Sequence, residues 1–559
     1  MSKLPFFYKA KAGKINFNRS SNNNLQVYLF VYLFIIGLFL AAIILRLFQL
    51  TIVKGDYYLR LSENNRIREF IIEPKRGRIL DRKGFVVAQN TNADININKE
   101  RLPSKRTYRS SEAIAHLVGY RQIADKNDIK NDNCLNKLRL GDKVGKKGVE
   151  KIFDCYLRGY AGKKLIEVDA KGQHLKTLTI IPPKDGQDIQ LAFDLELQEK
   201  AYNLIKDKRA AAVGIKPQTG EILFFVSSPS FNVQDFEDEN IYKISMYLKD
   251  KNKPLFNRVT EGAYPPGSIF KLVVGTAALE EKQIEATTIF EDTGIIKAGT
   301  TIFGNWYFLE QGKTEGMVDF VKAIRRSNDI FFYKVGEKLG AERIKLWADR
   351  FGYGKITGIG FDEAEGTIPS PFWKEENLNE TWYLGDTYNL SIGQGYLLAT
   401  PLQVALATAA FANNGYLCQP KLLKNESAIN SSLSEYQKPK CQKLPISQKT
   451  LDLVRQGMIE ACSPGGTGWP FFDFKVKNTK NKDEIITTAC KTGTAESHAE
   501  SGIPHAWFSV FAPASSHDQS TGSKPEIAVT VLIEEGGQGS DVAGPIAKEI
   551  LKAYFERNE

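Results

Sequence analysis

The sequence is poor in the residues that build metal centres. Histidine occurs only five times in 559 residues, at 116, 174, 498, 505 and 517, and in no ligand spacing. The six cysteines, at 134, 155, 418, 441, 462 and 490, lie far apart and include no Cys-x-x-Cys. Metal clusters therefore have no support, and spacing alone leaves disulfide pairing open. A dense basic run interleaved with aromatics is also missing. This argues against nucleic acid as a partner, although 75 basic residues against 65 acidic ones leave a net charge of +10. Such a balance favours anionic surroundings such as membrane headgroups or cell-wall polymers. No internal repeat is present, and 42% hydrophobic with 25% charged residues is the composition of a globular chain long enough for several domains.

Long apolar runs are absent with one exception. Leu25 to Leu45 carries no charge and would form a helix of about 31 Å, close to the hydrocarbon thickness of a bilayer. A buried soluble helix and a cleaved signal peptide are the alternatives. The second usually has a shorter apolar region, and Arg46-Leu47 follows where a small-residue cleavage site would stand. Residues 1–24 carry Lys3, Lys9, Lys11, Lys14 and Arg19 and no acid. That asymmetry predicts a cytoplasmic basic tail, a single-pass transmembrane anchor at 25–45, and an exported remainder.

Residues 46–185 read as a polar, irregular module with short strand-like pieces at Phe70-Ile71-Ile72 and Phe85-Val86-Val87. The Lys/Asp/Asn-rich stretch Arg121 to Lys147 reads as a solvated insertion. From 186 to 559 the pattern changes. Strands are expected at Ile189–Leu191, Ala210–Ile215, Glu221–Val226, Ile485–Ala489, Trp507–Ala512 and Ile527–Glu534. Helices are expected at Leu195–Ile205, Ile269–Glu281, Val321–Leu339 and Thr400–Ala412, and a polar loop at Asn425–Lys443. Strands at both ends with helices between them predict an α+β domain whose sheet is completed by the C-terminal segment.

Three short motifs carry the chemistry. Tyr264-Pro265-Pro266-Gly267-Ser268-Ile269-Phe270-Lys271 puts a serine at a helix start, where backbone N–H groups favour developing negative charge. Lys271 follows one turn later among Phe270, Leu272, Val273 and Val274; desolvation there lowers its pKa and fits it to take the serine proton. Ser-x-x-Lys arises often by chance, but this is the only one in the chain and falls at the start of an apolar helix. Lys491-Thr492-Gly493-Thr494 contains the only Lys-Thr-Gly, whose edge strand could pair with an extended peptide and whose Lys491 and Thr492 could bind a carboxylate. Ser327-Asn328-Asp329 is the third, and as a local pattern it equally suits a helix N-cap. A His498- or His505-based triad is conceivable, but nothing in the sequence sets either beside a serine.

In the order Ser-x-x-Lys, Ser-x-Asp, Lys-Thr-Gly, the chain resembles the penicillin-binding transpeptidases, an order shared by the wider serine β-lactamase-like superfamily. Arg66-Ile67-Arg68, Pro74 to Gly84 and Gly148 to Gly159 resemble the pedestal, or dimerisation, module of the class B members. The Phe331-Phe332-Tyr333 tail, Pro254 to Arg258 and Trp382 to Thr387 are most similar to the cell-elongation branch. The resemblance implies a serine β-lactamase/transpeptidase-like domain, an antiparallel sheet with helices, behind an extended pedestal and one transmembrane helix. It implies that Ser268 attacks the D-Ala-D-Ala bond of a peptidoglycan stem peptide with Lys271 as base. N–H groups of Ser268 and Thr494 would form the oxyanion hole, and Ser327 with Lys491 would relay a proton to the leaving D-alanine. Thr492, Gly493 and Thr494 would bind substrate. β-Lactams would acylate the same serine, and a SEDS-type glycosyltransferase and other elongation proteins are the implied partners. Asp329 departs from the Asn of many relatives and can only accept hydrogen bonds. Some family members bind zinc near the site, but this chain has no Cys or His between Ser268 and Ser327, so no metal or other cofactor is carried over. A D,D-carboxypeptidase or β-lactamase keeps the fold and changes the acceptor to water. A non-enzymatic scaffold or activator of a SEDS-type glycosyltransferase is the other alternative, and it is not exclusive of catalysis.

Overall fold

A computed structural model describes residues 23–91, 105–169, 171–424, 433, 440–477, 482–497, 501–514 and 524–556. The basic residues of the expected tail, His498, His517 and most of the polar loop at 425–443 lie outside the described residues. The chain divides into two compact units, Met1–Ile71 with Lys163–Ile181, and Ile72–Gly162 with Pro182–Glu559.

In the first unit the helix Asn23–Phe48 is followed by a π-helical turn, Gln49–Val53, and a second helix, Gly55–Arg66. The span Leu25–Val53 is, among the described residues, the one helix long and apolar enough to cross a membrane, and its side chains are exposed. Strands Ile67–Ile72, Gly162–Val168 and His174–Ile181 make a three-stranded sheet with Gly162–Val168 in the middle.

The second unit opens with a four-stranded sheet in the order Lys105–Tyr108, Val86–Thr91, Ile79–Leu80, Ile189–Gln190. The Arg121–Lys147 stretch is more ordered than its polar composition predicts. Strands Arg121–Ile123 and Lys143–Gly145 pair, Ala124, Leu138 and Val144 form a small core, and a Cys134–Cys155 disulfide closes the segment. Few apolar residues suffice there because the cross-link supplies part of the stability.

The main sheet has five strands: β1 (Ala210–Ile215), β2 (Ile222–Ser228), β3 (Ala489–Ala495), β4 (His505–Ala512) and β5 (Ile527–Ile533). All pairs are antiparallel in the order β2-β1-β5-β4-β3, so the C-terminal strands complete a sheet begun nearly 300 residues earlier. Among the helices around the sheet and site are α1 (Leu195–Ile205), α2 (Lys271–Glu280), α3 (Trp306–Gln311), α4 (Phe320–Arg325), α5 (Asp329–Leu339), α6 (Pro401–Ala412), α7 (Gln448–Ala461) and α8 (Gly544–Glu556). Along β1, Ala211, Val213 and Ile215 join the core under α6, while Ala210 and Ala212 join the one under α1 and α8. Both faces are thus covered, which is why these strands read as apolar runs rather than alternations. α6 is buried along its whole length, started by the Thr400–Gln403 capping box and Pro401. Burying each Val, Leu, Ile or Phe of such a core stabilises by about 1.5–3 kcal/mol.

Two expected elements are redrawn. The helical stretch 321–339 is split into α4 and α5, because Ser327 adopts a left-handed φ of 53° and Asn328 caps α5 through the Phe331 N–H. The strand expected at Ile485–Ala489 is two strands: Asp483–Ile485 pairs with Lys475–Lys477, and β3 starts only at Ala489. Cys490 to Thr494 has weak β-propensity. Pairing along β4, from Ala489–Phe511 to Ala495–His505, makes it a strand.

Candidate active site

The two prolines and Gly267 end the preceding chain, and a 3-10 turn, Gly267–Ile269, leads into α2. Ser268 therefore sits on the last turn before the helix and is partly exposed, while Lys271 begins α2 and is fully buried. Gly267 has a φ of 56° and its N–H donates to the Gly393 carbonyl at 2.9 Å. A Cβ on Gly393 would come within 2.1 Å of the Gly267 oxygen, so glycine there allows the two loops to meet behind the serine.

The structure brings the three motifs together. Lys271 Nζ donates to Asp329 Oδ1 at 2.6 Å, to the Ser327 carbonyl at 2.8 Å and, more weakly, to Ser327 Oγ at 3.4 Å. Lys491, also fully buried, donates to the same Ser327 Oγ at 2.7 Å and to the Thr492 carbonyl at 3.0 Å. Ser327 Oγ thus lies between two lysines. Its left-handed backbone turns its carbonyl towards Lys271, a conformation that costs energy for a non-glycine residue. No hydrogen bond joins Ser268 Oγ to Lys271 among the described residues.

Electrostatics follow from burial. Desolvation pulls the Lys271 ammonium below its ordinary range, against the opposing effect of Asp329. Lys491 is pushed down further by desolvation, with Lys271 adding repulsion and Asp329 only partly opposing it. Both lysines are thus pushed toward the neutral form, Lys491 more strongly than Lys271.

The open side is a cleft of about 1060 Å³ lined by Ser268, Ser327, Asp329, Thr492 and Thr494, with Trp306 and Trp469 among its walls. β3 is an edge strand of this sheet, paired among the described residues with β4 alone. Gly493 packs against the serine turn, and a Cβ there would meet the Pro266 carbonyl oxygen at 3.1 Å. Lys491 is buried and donates to Ser327, so the side chains of β3 that line the cleft are buried Thr492 and half-buried Thr494 rather than the lysine expected to reach a carboxylate. Thr492 Oγ1 donates to Thr467 Oγ1 at 2.9 Å, and Thr494 Oγ1 to Gln538 Oε1 at 2.8 Å. His505 lies on β4, where its Nδ1 accepts the Glu535 N–H and its ring meets Tyr264 edge-on.

Sequence reading missed several groups. Trp306 donates its backbone N–H to Asp329 Oδ2 at 2.9 Å, Gln394 Nε2 reaches the Thr494 carbonyl at 3.2 Å, and Thr467 holds Thr492. None is near its partner in the chain, and no local pattern marks it. Among the described residues, no group of three or more His, Cys, Asp or Glu could hold a metal ion.

Residues 210–552 match the penicillin-binding protein transpeptidase domain, and residues 93–191 the penicillin-binding protein dimerisation domain. The chain is 34% identical over 486 residues to the peptidoglycan D,D-transpeptidase MrdA of Salmonella typhimurium, covering 81% of this chain and 73% of that one. The penicillin-binding protein 2 of Helicobacter pylori, solved in complex with MreC, superposes with a TM-score of 0.71 at 28% identity, covering 87% of this chain and 98% of that one. A solved peptidoglycan synthase complex coordinating polymerization and crosslinking contributes a chain with a TM-score of 0.73 at 26% identity, covering 95% of this chain and 98% of that one. With its buried lysine pair behind two serines and these matches along most of its length, the chain belongs to the penicillin-binding protein transpeptidases and is a serine-type peptidoglycan D,D-transpeptidase.

Proposed function

We propose that Ser268 is the acyl-accepting nucleophile of this transpeptidase, with Lys271 as its base and Ser327, Asp329 and Lys491 completing the proton path. The observation that carries this reading is the convergence of both buried lysines on Ser327 Oγ beside the cleft that Ser268 lines. Ser268 Oγ attacks the penultimate D-alanyl carbonyl of a stem peptide and gives its proton to neutral Lys271. N–H groups of Ser268 and Thr494 stabilise the oxyanion. As the C–N bond breaks, Ser327, hydrogen-bonded to Lys491, relays a proton to the departing D-alanine amine. An amine of a neighbouring stem peptide then attacks the acyl-serine ester, loses a proton to the same path and releases Ser268. Thr492, Gly493 and Thr494 bind the donor peptide along the open edge of β3.

β-Lactams acylate the same serine. Ser268→Ala abolishes labelling by a fluorescent penicillin; labelling that survives this change rules out the assignment. A penicillin adduct that persists for hours on the intact protein supports transfer to an amine. Its rapid loss supports a carboxypeptidase or β-lactamase instead.

The protein is read as anchored in the cell membrane with residues 1–24 cytoplasmic and the catalytic unit outside. The basic residues before the anchor and three disulfides, Cys134–Cys155, Cys418–Cys441 and Cys462–Cys490, support that orientation. Residues 46–185 are taken as the pedestal and 186–559 as the transpeptidase domain. A role in cell elongation with a SEDS-type glycosyltransferase as partner rests on the motif resemblance, an MreC-like partner on the Helicobacter pylori complex, and a polymerising partner on the peptidoglycan synthase complex.

A further inference from the structure

Behind the Ser-x-Asp motif lies a buried polar cluster that the mechanism does not use. Asp292, Asn305 and Asn328 are 3%, 0% and 0% exposed. The Asp292 carboxylate accepts four hydrogen bonds, each of 2.9 Å. Oδ1 takes the Gly294 N–H; Oδ2 takes Asn305 Nδ2, Asn328 Nδ2 and the Glu315 N–H.

The consequence is orientation. An amide side chain has one donor end and one acceptor end. Because Asp292 can only accept, both asparagines must turn their NH₂ groups to it and their oxygens away. Asn305 Oδ1 then accepts the Asp329 N–H at 3.0 Å, and Asn328 Oδ1 caps α5 through the Phe331 N–H at 2.8 Å. The residue after Asn305, Trp306, holds Asp329 Oδ2 through its own N–H at 2.9 Å, which leaves Oδ1 directed at Lys271. Ser327 precedes Asn328 directly, so the same anchor holds its left-handed backbone, and with it the carbonyl and hydroxyl that the lysines use.

We infer that Asp292 is a positioning residue for catalysis: through the forced orientation of Asn305 and Asn328 it holds Ser327 and Asp329 in register with Lys271 and Lys491. This rests on the roles proposed above for those four residues. Replacing Asp292 by asparagine keeps its size but sets its NH₂ against either the Gly294 N–H or the three donors on Oδ2, and in both cases removes the charge that holds the two amides in place. Inversion of Asn305 would set its NH₂ against the Asp329 N–H.

The test is transient kinetics of acylation by a fluorescent penicillin on the full-length protein in detergent, separating the affinity of the non-covalent complex from the limiting acylation rate. Asp292→Asn is expected to lower the limiting rate at least tenfold while changing the affinity less than about threefold, since Thr492 and Thr494 lie on another element. Asn305→Ala is expected to do the same, and the two changes together are expected to cost no more than the worse one alone, because both act on one link. If Asp292→Asn does not fold, Asn305→Ala carries the same expectation, as it removes the link and leaves Asp292 its other donors. An acylation rate within twofold of the unaltered protein in whichever variant folds, losses that simply multiply, or an effect confined to affinity overturns the inference. Ser268→Ala run alongside separates the two levels: persistent labelling there sinks the assignment of the nucleophile, whereas lost labelling with unaffected Asp292 and Asn305 variants sinks only the positioning role.

Discussion

Asp329 acts on Lys271 in two ways, and they bear differently on the rate. It holds the lysine in place by a 2.6 Å hydrogen bond, and its charge favours the protonated amine, opposing desolvation. A base must be neutral to accept a proton, so acylation falls as pH drops through the Lys271 pKa. Asp329→Asn removes the charge that raises that pKa and keeps the side-chain shape. The acidic limb of the acylation rate profile is therefore expected to move to lower pH, which rates of penicillin labelling between about pH 5 and 9 would read. A limb that moves upward would mean that Lys271 is not the group titrating. Glu150 poses the opposite case in the segment that matches the dimerisation domain. Burial raises its pKa, but the guanidiniums of Arg106, Arg76 and Arg121 overcome this and hold it down to about 2. A carboxylate with a depressed folded-state pKa adds stability above its unfolded pKa of about 4.3 and loses it as pH falls toward the folded value. Glu150→Gln leaves buried guanidinium without its counter-charge. It is expected to cost about 3–5 kcal/mol at neutral pH and to flatten the acid dependence of stability below about pH 4.5, checked by denaturant titration.

At the scale of elements, the edge strand β3 is held by a cross-link beside Lys491. Cys490 precedes Lys491 and is bonded to Cys462, the residue that ends α7. The loop that follows, 463–468, reaches both other walls of the site. Arg325 and Arg326 of the Ser327 side donate to its Pro464 and Gly465 carbonyls, and Thr467 meets Thr492. Replacing both cysteines by serine is expected to lower stability by about 2–4 kcal/mol and to slow acylation, because the strand loses its tether to that loop. Melting temperature and labelling rate together check this. Stability lost with the labelling rate untouched would confine the disulfide to folding. Gly393→Ala makes a sharper local test. The added Cβ falls 2.1 Å from the Gly267 oxygen at a φ of 77°, so the serine turn must shift and labelling is expected to fall by an order of magnitude or more.

For the whole molecule, the three disulfides make oxidation part of folding. All six cysteines are paired, so the intact membrane protein, denatured without reductant, is expected to take up no thiol-alkylating reagent by mass. Detectable alkylation of a large fraction would place the catalytic unit in a reducing compartment and contradict the proposed orientation. The five-stranded sheet makes the C-terminal segment an interior part of the fold. β5 lies between β1 and β4, so truncation before Ile527 leaves two separated edges rather than a shorter domain.

The amino-acid order by itself determined a good deal. The uncharged run at 25–45, the α+β pattern, the apolar strands and α6 are local signals of period and composition. The three motifs are local too, since a serine at a helix start and a lysine one turn on share a face whatever surrounds them. What local pattern does not encode is meeting. Ser327 at the break between α4 and α5, and Lys491 within β3, are brought together only when β4 pairs with β3 and α7 packs against α4. That assembly decided that Lys491 lies behind the cleft rather than in it. It also decided that Asp329 faces Lys271, and that Asp292, 35 positions before Ser327 in the chain, anchors the loop between them. Hydrogen bonds to buried polar groups are long-range in sequence and short-range in space, and only the folded chain selects them.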